Sequence, residues 1–182
     1  MDKATLRKTY LEKRLTLSIK EYDKRNKKLI ENLFQLVDFT KIEYLHVFLP
    51  IEKFKEVNTW PIIARVKKNY PHIKIVVPKV VGDKLVHYLF ETKDQLKISK
   101  WGIEEPSYGT IISPQQIDMV HVPLVVADKK GNRIGYGKGF YDRFLSECKP
   151  TAQKIGLSLL PLLDKIDCVE STDVKLDTCI TP

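Results

Sequence analysis

Residues 131–145 read GNRIGYGKGFYDRFL, with glycines at 131, 135, 137 and 139, Arg133 and Lys138 among them, and Tyr141-Asp142 entering a helical pattern. Glycines this dense add no side-chain packing and cost backbone entropy, so they mark a chain that turns with positive φ or approaches a ligand closely. Loop amides followed by a helix N-terminus suit an anion, because unpaired N–H groups and the helix dipole both favour negative charge. Two cations lie beside them, and a nucleotide phosphate is the first candidate. The bland alternative is a flexible turn in which Asp142 only complements the helix dipole.

Two common phosphate motifs fail on spacing. In G-x-x-x-x-G-K-[ST] the glycine due after Gly131 is Tyr136, and Lys138 is followed by Gly139 instead of a hydroxyl residue. In G-x-G-x-x-G the third glycine, counted from Gly135 and Gly137, falls on Phe140. A dinucleotide fold is therefore disfavoured.

The loop needs elements to hold it. Residues 3–17 read as a helix with Leu6, Tyr10 and Leu17 near one face; Lys3, Arg7 and Arg14 fall within about 40° of one another beside that stripe. Ser18 and Glu21 form a capping-box pattern ahead of a second amphipathic helix carrying Tyr22, Leu29, Leu33 and Val37. The apolar runs 42–50, 73–80 and 117–128 read as buried strands, with 84–90 a partner strand and 152–159 a further one. Helices are expected from about Asn58 to Asn69, with Pro61 in the first turn, and over 140–149 before Pro150. Residues 91–116 read as a long, mostly irregular connection.

Strands alternating with helices predict an α/β fold of three layers: a mainly parallel sheet with helices on both faces, Rossmann-like but without a dinucleotide motif. Ligands belong at the carboxyl ends of such strands, where the glycine loop sits. With 182 residues, 43% of them hydrophobic, the chain fits a single domain spanning 1–182. No run of about eighteen apolar residues exists and the start is charged from Asp2, so no membrane partner and a cytoplasmic location are expected. Cys148, Cys168 and Cys179 lack CxxC spacing and read as reduced structural thiols. A formal charge of +8 favours an anionic partner without choosing among nucleotide, polyglutamate and RNA. His46 and His121 lie in apolar strands, where a hydrogen-bonded core histidine is the ordinary expectation.

The stretch DKKGNRIGYGKGFYDRFL resembles the signature of the 5-formyltetrahydrofolate cyclo-ligases, also called 5,10-methenyltetrahydrofolate synthetases. Other parts follow in that family's order: Lys3 and Arg7 in the first helix, FLP…EVxT from Phe48 to Thr59, VPKV, GIxEP at 102–106 and DVKLD at 173–177. The resemblance spans nearly the whole chain. It implies ATP-dependent conversion of 5-formyltetrahydrofolate to 5,10-methenyltetrahydrofolate, with ADP and phosphate released. It also implies ATP contacts from Lys3, Arg7, Arg133, Ile134, Gly135, Tyr136, Gly137, Lys138, Gly139, Phe140 and Tyr141, with Arg14 joining from the first helix and Lys138 and Arg133 catalytic. Folate contacts are implied at Leu49, Pro50, Glu56, Tyr136, Gly137, Lys138, Gly139 and Phe140, and Mg²⁺ ligands at Asp142 and Asp173.

The spacer IEKFK between Pro50 and Glu56 is longer than in many members. Trp101 and Tyr108 offer flat surfaces in the long connection but receive no role. The implied partners are ATP and the folate, with or without a polyglutamate tail, bound by a monomer with no nucleic acid. Two rival readings stand beside this one. A basic RNA-binding protein is motivated by segments such as KEYDKRNKK but lacks an RNP-like aromatic motif. A sugar-phosphate isomerase on a similar sheet rests on fold analogy alone.

Overall fold

Capping chemistry starts the chain's first two helices where the sequence places them. The computed structural model describes residues 1–100 and 102–182. Helix α1 (Lys3–Leu15) begins after Asp2, whose side chain accepts from Thr5 N–H, and α2 (Ile19–Leu36) begins after Ser18, whose hydroxyl accepts from Glu21 N–H at 3.1 Å. The capping box is one-sided, because the Glu21 carboxylate accepts instead from Arg25 Nε at 2.8 Å. The chain continues as β1 (Tyr44–His46), α3 (Trp60–Asn69), β2 (Lys74–Val81), β3 (Lys84–Leu89), β4 (Leu96–Ile98) and β5 (Glu104–Pro106). Then follow β6 (Met119–Pro123), β7 (Val126–Ala127), β8 (Arg133–Ile134), α4 (Phe140–Glu147), β9 (Gln153–Leu157) and β10 (Thr178–Ile180).

The main sheet has the order β10-β9-β6-β1-β2-β3, and four of its five pairings are parallel; β3 folds back antiparallel on β2. Alternation across the pleat sends Leu45, Ile75, Val77, Met119 and Leu157 to one side, against Leu29 and Leu33 of α2 and Ile62 and Val66 of α3. Val76, Val120 and Val122 face the other side, against Phe144 and Leu145 of α4. Each of these large side chains contributes about 1.5–3 kcal/mol when removed from water, which is what holds helices to both faces of the sheet. Helix α1 belongs to neither layer. Its Leu6 packs with Val126, Ile134 and Ile166 over the β7–β8 ribbon, which lays the helix beside the glycine loop.

Four expectations need correction. Residues 91–116 are not mostly irregular: β4 and β5 pair antiparallel, and Gln95 locks the turn before them by accepting from Glu91 and Thr92 N–H while donating to Leu89 O. The run 117–128 is not one strand, because the ladder ends at Pro123 and Val125 N–H turns to Ile134 O at 2.8 Å, opening the β7–β8 ribbon. Strand β10 was not expected; three residues are too few to show a period. The core histidines are not hydrogen-bonded: both ring nitrogens of His46 and of His121, and Nδ1 of His87, are buried without a partner among the described residues.

Those histidines make stability depend on pH. Burial holds His46 well below its usual range, with the neighbouring His87 and His121 adding to the effect, and pushes His87 down to about 4 and His121 down to about 3. The unfolded chain takes up protons near pH 6.5 that the folded chain refuses, so stability is complete above that value and falls as pH drops from there toward the folded values. The loss reaches about 1.4 kcal/mol per pH unit for each histidine. Urea midpoints measured from neutral pH downward are expected to decline steeply below about pH 6.5, and His121→Leu to reduce the slope by one proton's share; a flat wild-type profile down to the carboxylate range contradicts this.

Gly131 is fixed by a contact as well as by its backbone. Its φ is +82°, and a Cβ there would lie 2.5 Å from Leu176 O. Gly131→Ala is therefore expected to lower the melting temperature by several degrees, the equivalent of about 1–3 kcal/mol of strain, whereas Gly135→Ala, which meets open space at an ordinary φ, leaves it nearly unchanged.

Candidate active site

The glycine loop leaves β8 and re-enters helix at α4, whose cap is Gly139 at φ +69°. Asp128 anchors the turn before it: its carboxylate accepts from Lys130 and Asn132 N–H, from the Asn132 amide and from Ile166 N–H, all at 2.7–2.9 Å. Gly137 sits at φ +83°, and a side chain there would meet the Arg7 guanidinium at 3.0 Å. Arg7 Nε donates to Gly135 O at 2.8 Å, which helps to dock α1 on the loop.

The cations and carboxylates on the phosphate-directed side meet in a small network. Arg133, its side chain 5% exposed, donates to Asp142 Oδ1 at 2.7 Å and to Val174 O. Val174 N–H donates to the same Asp142 oxygen at 3.1 Å, which brings Asp142 beside the Asp173-Val174 step. Lys3 Nζ lies 2.8 Å from both Asp173 oxygens and 3.1 Å from Glu170. Burial pushes the Asp173 carboxyl up, but Glu170 N–H, Lys3 and Arg133 outweigh it and hold the group below its usual range. Lys138 is exposed on the loop, and its ammonium has no partner among the described residues.

The two predicted metal ligands differ in readiness. Asp142 Oδ2 has no hydrogen-bond partner among the described residues, whereas both Asp173 oxygens are engaged by Lys3. No cluster of three or more His, Cys, Asp or Glu side chains suited to a metal occurs among the described residues. Two carboxylates nonetheless fit magnesium, which commonly takes one or two from protein and the rest from phosphates and water.

The other side of the loop faces a buried acid. Glu56 is 3% exposed, its Oε2 accepts from Ile51 N–H at 2.6 Å, and the Tyr136 hydroxyl lies beside its carboxylate. Burial raises the Glu56 pKa above the usual range, while Tyr136, Ile51 and the charge of Arg14 pull it back. The IEKFK spacer forms a 3-10 turn over Glu52–Phe54 and ends at Lys55 with φ 46°, where Lys55 Nζ donates to Leu15 O and Leu17 O. Phe54 stacks on Tyr136 with centroids 5.3 Å apart and rings at 21°.

Arg14 is the residue whose place differs most from expectation. It does not join Lys3 and Arg7 toward phosphate: it is buried, its Nε and Nη1 donate to Phe54 O and Leu124 O at 2.8 Å each, and its Nη2 donates to the Tyr136 hydroxyl. Helical spacing put the three cations on one face but could not say that the spacer would fold over the third. Ile134 likewise spends its side chain on packing against Leu6, leaving only its backbone to a ligand. Leu49 is buried and Pro50 half-buried where β1 leads into the spacer.

Phe140 opens α4 with Arg143 over its ring, and Tyr141 packs against His46 and Phe144. Burial, then the charge of Glu56, pushes the Tyr141 hydroxyl well above its usual range. Phe54 and Tyr22, whose hydroxyl donates to Glu56 O at 2.6 Å, were not anticipated as parts of the site. Tyr108 is exposed, and Trp101 lies outside the described residues.

The chain is 30% identical over 182 residues to a 5-formyltetrahydrofolate cyclo-ligase of Mycoplasma pneumoniae, covering 99% of this chain and 98% of that protein. A probable 5-formyltetrahydrofolate cyclo-ligase of Schizosaccharomyces pombe is 27% identical over 176 residues, covering 88% and 85%. Among solved structures, a 5,10-methenyltetrahydrofolate synthetase from Mycoplasma pneumoniae matches with a TM-score of 0.77 at 30% identity, over 100% of this chain and 99% of that one. The NMR structure of the Aquifex aeolicus 5,10-methenyltetrahydrofolate synthetase matches with a TM-score of 0.85 at 31% identity, over 99% and 89%. A model of the 5-formyltetrahydrofolate cyclo-ligase family matches residues 1–182, and the chain belongs to that family.

Proposed function

We propose that this protein converts 5-formyltetrahydrofolate and ATP into 5,10-methenyltetrahydrofolate, ADP and phosphate. The observation that carries the reading is the double-sided loop: residues 133–142 present Arg133, Lys138 and Asp142 beside Arg7 and Lys3, and the same loop's Tyr136 rests on the buried carboxylate of Glu56. One side suits a triphosphate and the other a ring with neighbouring N–H donors, so a single loop can set two substrates against each other.

The chemical difficulty is the formyl oxygen, a poor leaving group. Transfer of the γ-phosphoryl group of ATP to that oxygen, attack of N10 on the activated formyl carbon and departure of phosphate solve it without a protein nucleophile. Catalysis then rests on alignment and charge. Lys138, without a partner among the described residues, is free to follow the transferring group, while Arg7 and the loop amides hold the remaining phosphate oxygens. Glu56 takes the pterin's amino and ring N–H groups side by side, as a carboxylate can. Asp142, and Asp173 once Lys3 releases it, would hold Mg²⁺, which neutralises charge on the phosphates. The excess of cations, +8 over the chain, suits these anionic ligands, with or without a polyglutamate tail on the folate, and we take the protein to act as a cytoplasmic monomer without a nucleic-acid partner.

Formation of the methenyl product, followed by its ultraviolet absorbance, is expected to require the folate, ATP and a divalent cation together. Lys138→Ala is expected to lower kcat by roughly 10²-fold or more. Asp142→Asn, which retains an acceptor for Arg133, is expected to raise the magnesium concentration needed for half-maximal rate. ATP binding with no product would remove the folate assignment; wild-type rates in Lys138→Ala would remove that lysine from the transferring group.

A further inference from the structure

Position 136 carries a tyrosine between Gly135 and Gly137, and nothing in a phosphate-binding loop calls for a phenol there. Its ring lies on Phe54, its hydroxyl accepts from Arg14 Nη2, and that hydroxyl lies beside the Glu56 carboxylate. The directions are forced. A guanidinium only donates, so Arg14 takes the phenol's lone pair and leaves its one proton for the carboxylate. Arg14 cannot drift, because Phe54 O and Leu124 O hold it at 2.8 Å each. An ionised carboxylate has roughly four acceptor positions. Ile51 N–H occupies one and the phenol proton faces a second, which leaves two for a ligand with paired N–H donors.

We propose that Tyr136 is a positioning residue for the folate half of the reaction: braced by Arg14 and Phe54, its hydroxyl fixes the Glu56 carboxylate so that its remaining acceptor positions face the incoming ligand. This rests on the assignment of Glu56 to the folate made above. The same contact favours the ionised form of the acid. Burial is the larger influence on Glu56 and favours the neutral form; Tyr136 is the next and opposes it. The groups facing Glu56 are Arg14 from α1, Tyr22 from α2, Tyr136 from the loop and Tyr141 from α4. Burial raises all three phenols, and guanidinium groups keep their charge, so any acid-range titration at this spot belongs to Glu56.

The test compares wild-type protein with Tyr136→Phe, which keeps the ring on Phe54, and with Glu56→Gln. The pH dependence of kcat/KM for 5-formyltetrahydrofolate is measured with ATP saturating, and the Glu56 carboxyl is titrated by ¹³C NMR in the ligand-free protein. In Tyr136→Phe the acid limb and the NMR titration both move to higher pH, and KM for the folate rises roughly tenfold with a smaller change in kcat, as expected for loss of one hydrogen bond to a charged group. In Glu56→Gln the limb disappears. Superimposable profiles in wild type and Tyr136→Phe overturn the proposal, as does a uniform loss of rate without displacement, which marks packing alone. Absence of methenyl product from wild-type protein removes the folate reading itself, and the NMR displacement then reports the Tyr136–Glu56 bond separately from it.

Discussion

The site depends on a buried cation that is not there to bind substrate. Arg14 is 4% exposed, and a guanidinium taken out of water is tolerable only if its donors are met. They are met by groups from three separate parts of the chain: Phe54 O in the spacer, Leu124 O after β6 and the Tyr136 hydroxyl in the glycine loop. Glu56 stands close enough for its charge to be felt. The acid and the base are each expensive to bury alone, and the phenol between them lets each offset the other without direct contact. Helix α1, the spacer and the loop are thereby fixed relative to one another before any ligand arrives, which is the preorganisation that alignment catalysis requires.

The same logic organises the phosphate-directed side. Lys3 with Asp173 and Arg133 with Asp142 are ion pairs formed inside the protein, so bringing phosphate to them means exchanging one anion for another. A hydrogen bond to a charged group is worth roughly 1.5–3 kcal/mol, and micromolar affinity needs about 8 kcal/mol, so several donors must converge even before the cost of exchange is counted. Arg7 and Lys138 carry no carboxylate partner among the described residues, and they define where an incoming triphosphate meets least competition. Asp142 occupies the boundary, with one oxygen held by Arg133 and Val174 and the other available.

Much of this was readable from the residues, for identifiable reasons. The two opening helices carry caps and a period, the strands β1, β2 and β6 are buried on both faces and so nearly continuous in apolar residues, and three of the loop's four glycines do take positive φ. Gly131 shows what a motif conceals: its lack of a side chain admits Leu176, so the DVKLD segment is bound to the loop from beneath. What escaped the sequence is long-range. Hairpin β4–β5 depends on Gln95 as much as on any alternation of its strands, and β10 is a strand only because β9 is beside it. Arg14 shares a helical face with Lys3 and Arg7, and periodicity treats the three alike; only the fold of IEKFK over α1 separates the structural cation from the other two.

That spacer decides the character of the folate-directed side. Its αL residue Lys55 is the one non-glycine residue with positive φ among those described, a conformation costing of order 1 kcal/mol or more, and it is held by carbonyls at the end of α1. The return is that Phe54 is delivered face-on to Tyr136 and Phe54 O to Arg14. Without that turn the phenol at position 136 would lose its stacking partner, and Arg14 one of the two carbonyls that hold it. The spacer and the tyrosine are therefore one feature expressed at two points in the chain, and replacing either alone should not preserve the geometry around Glu56.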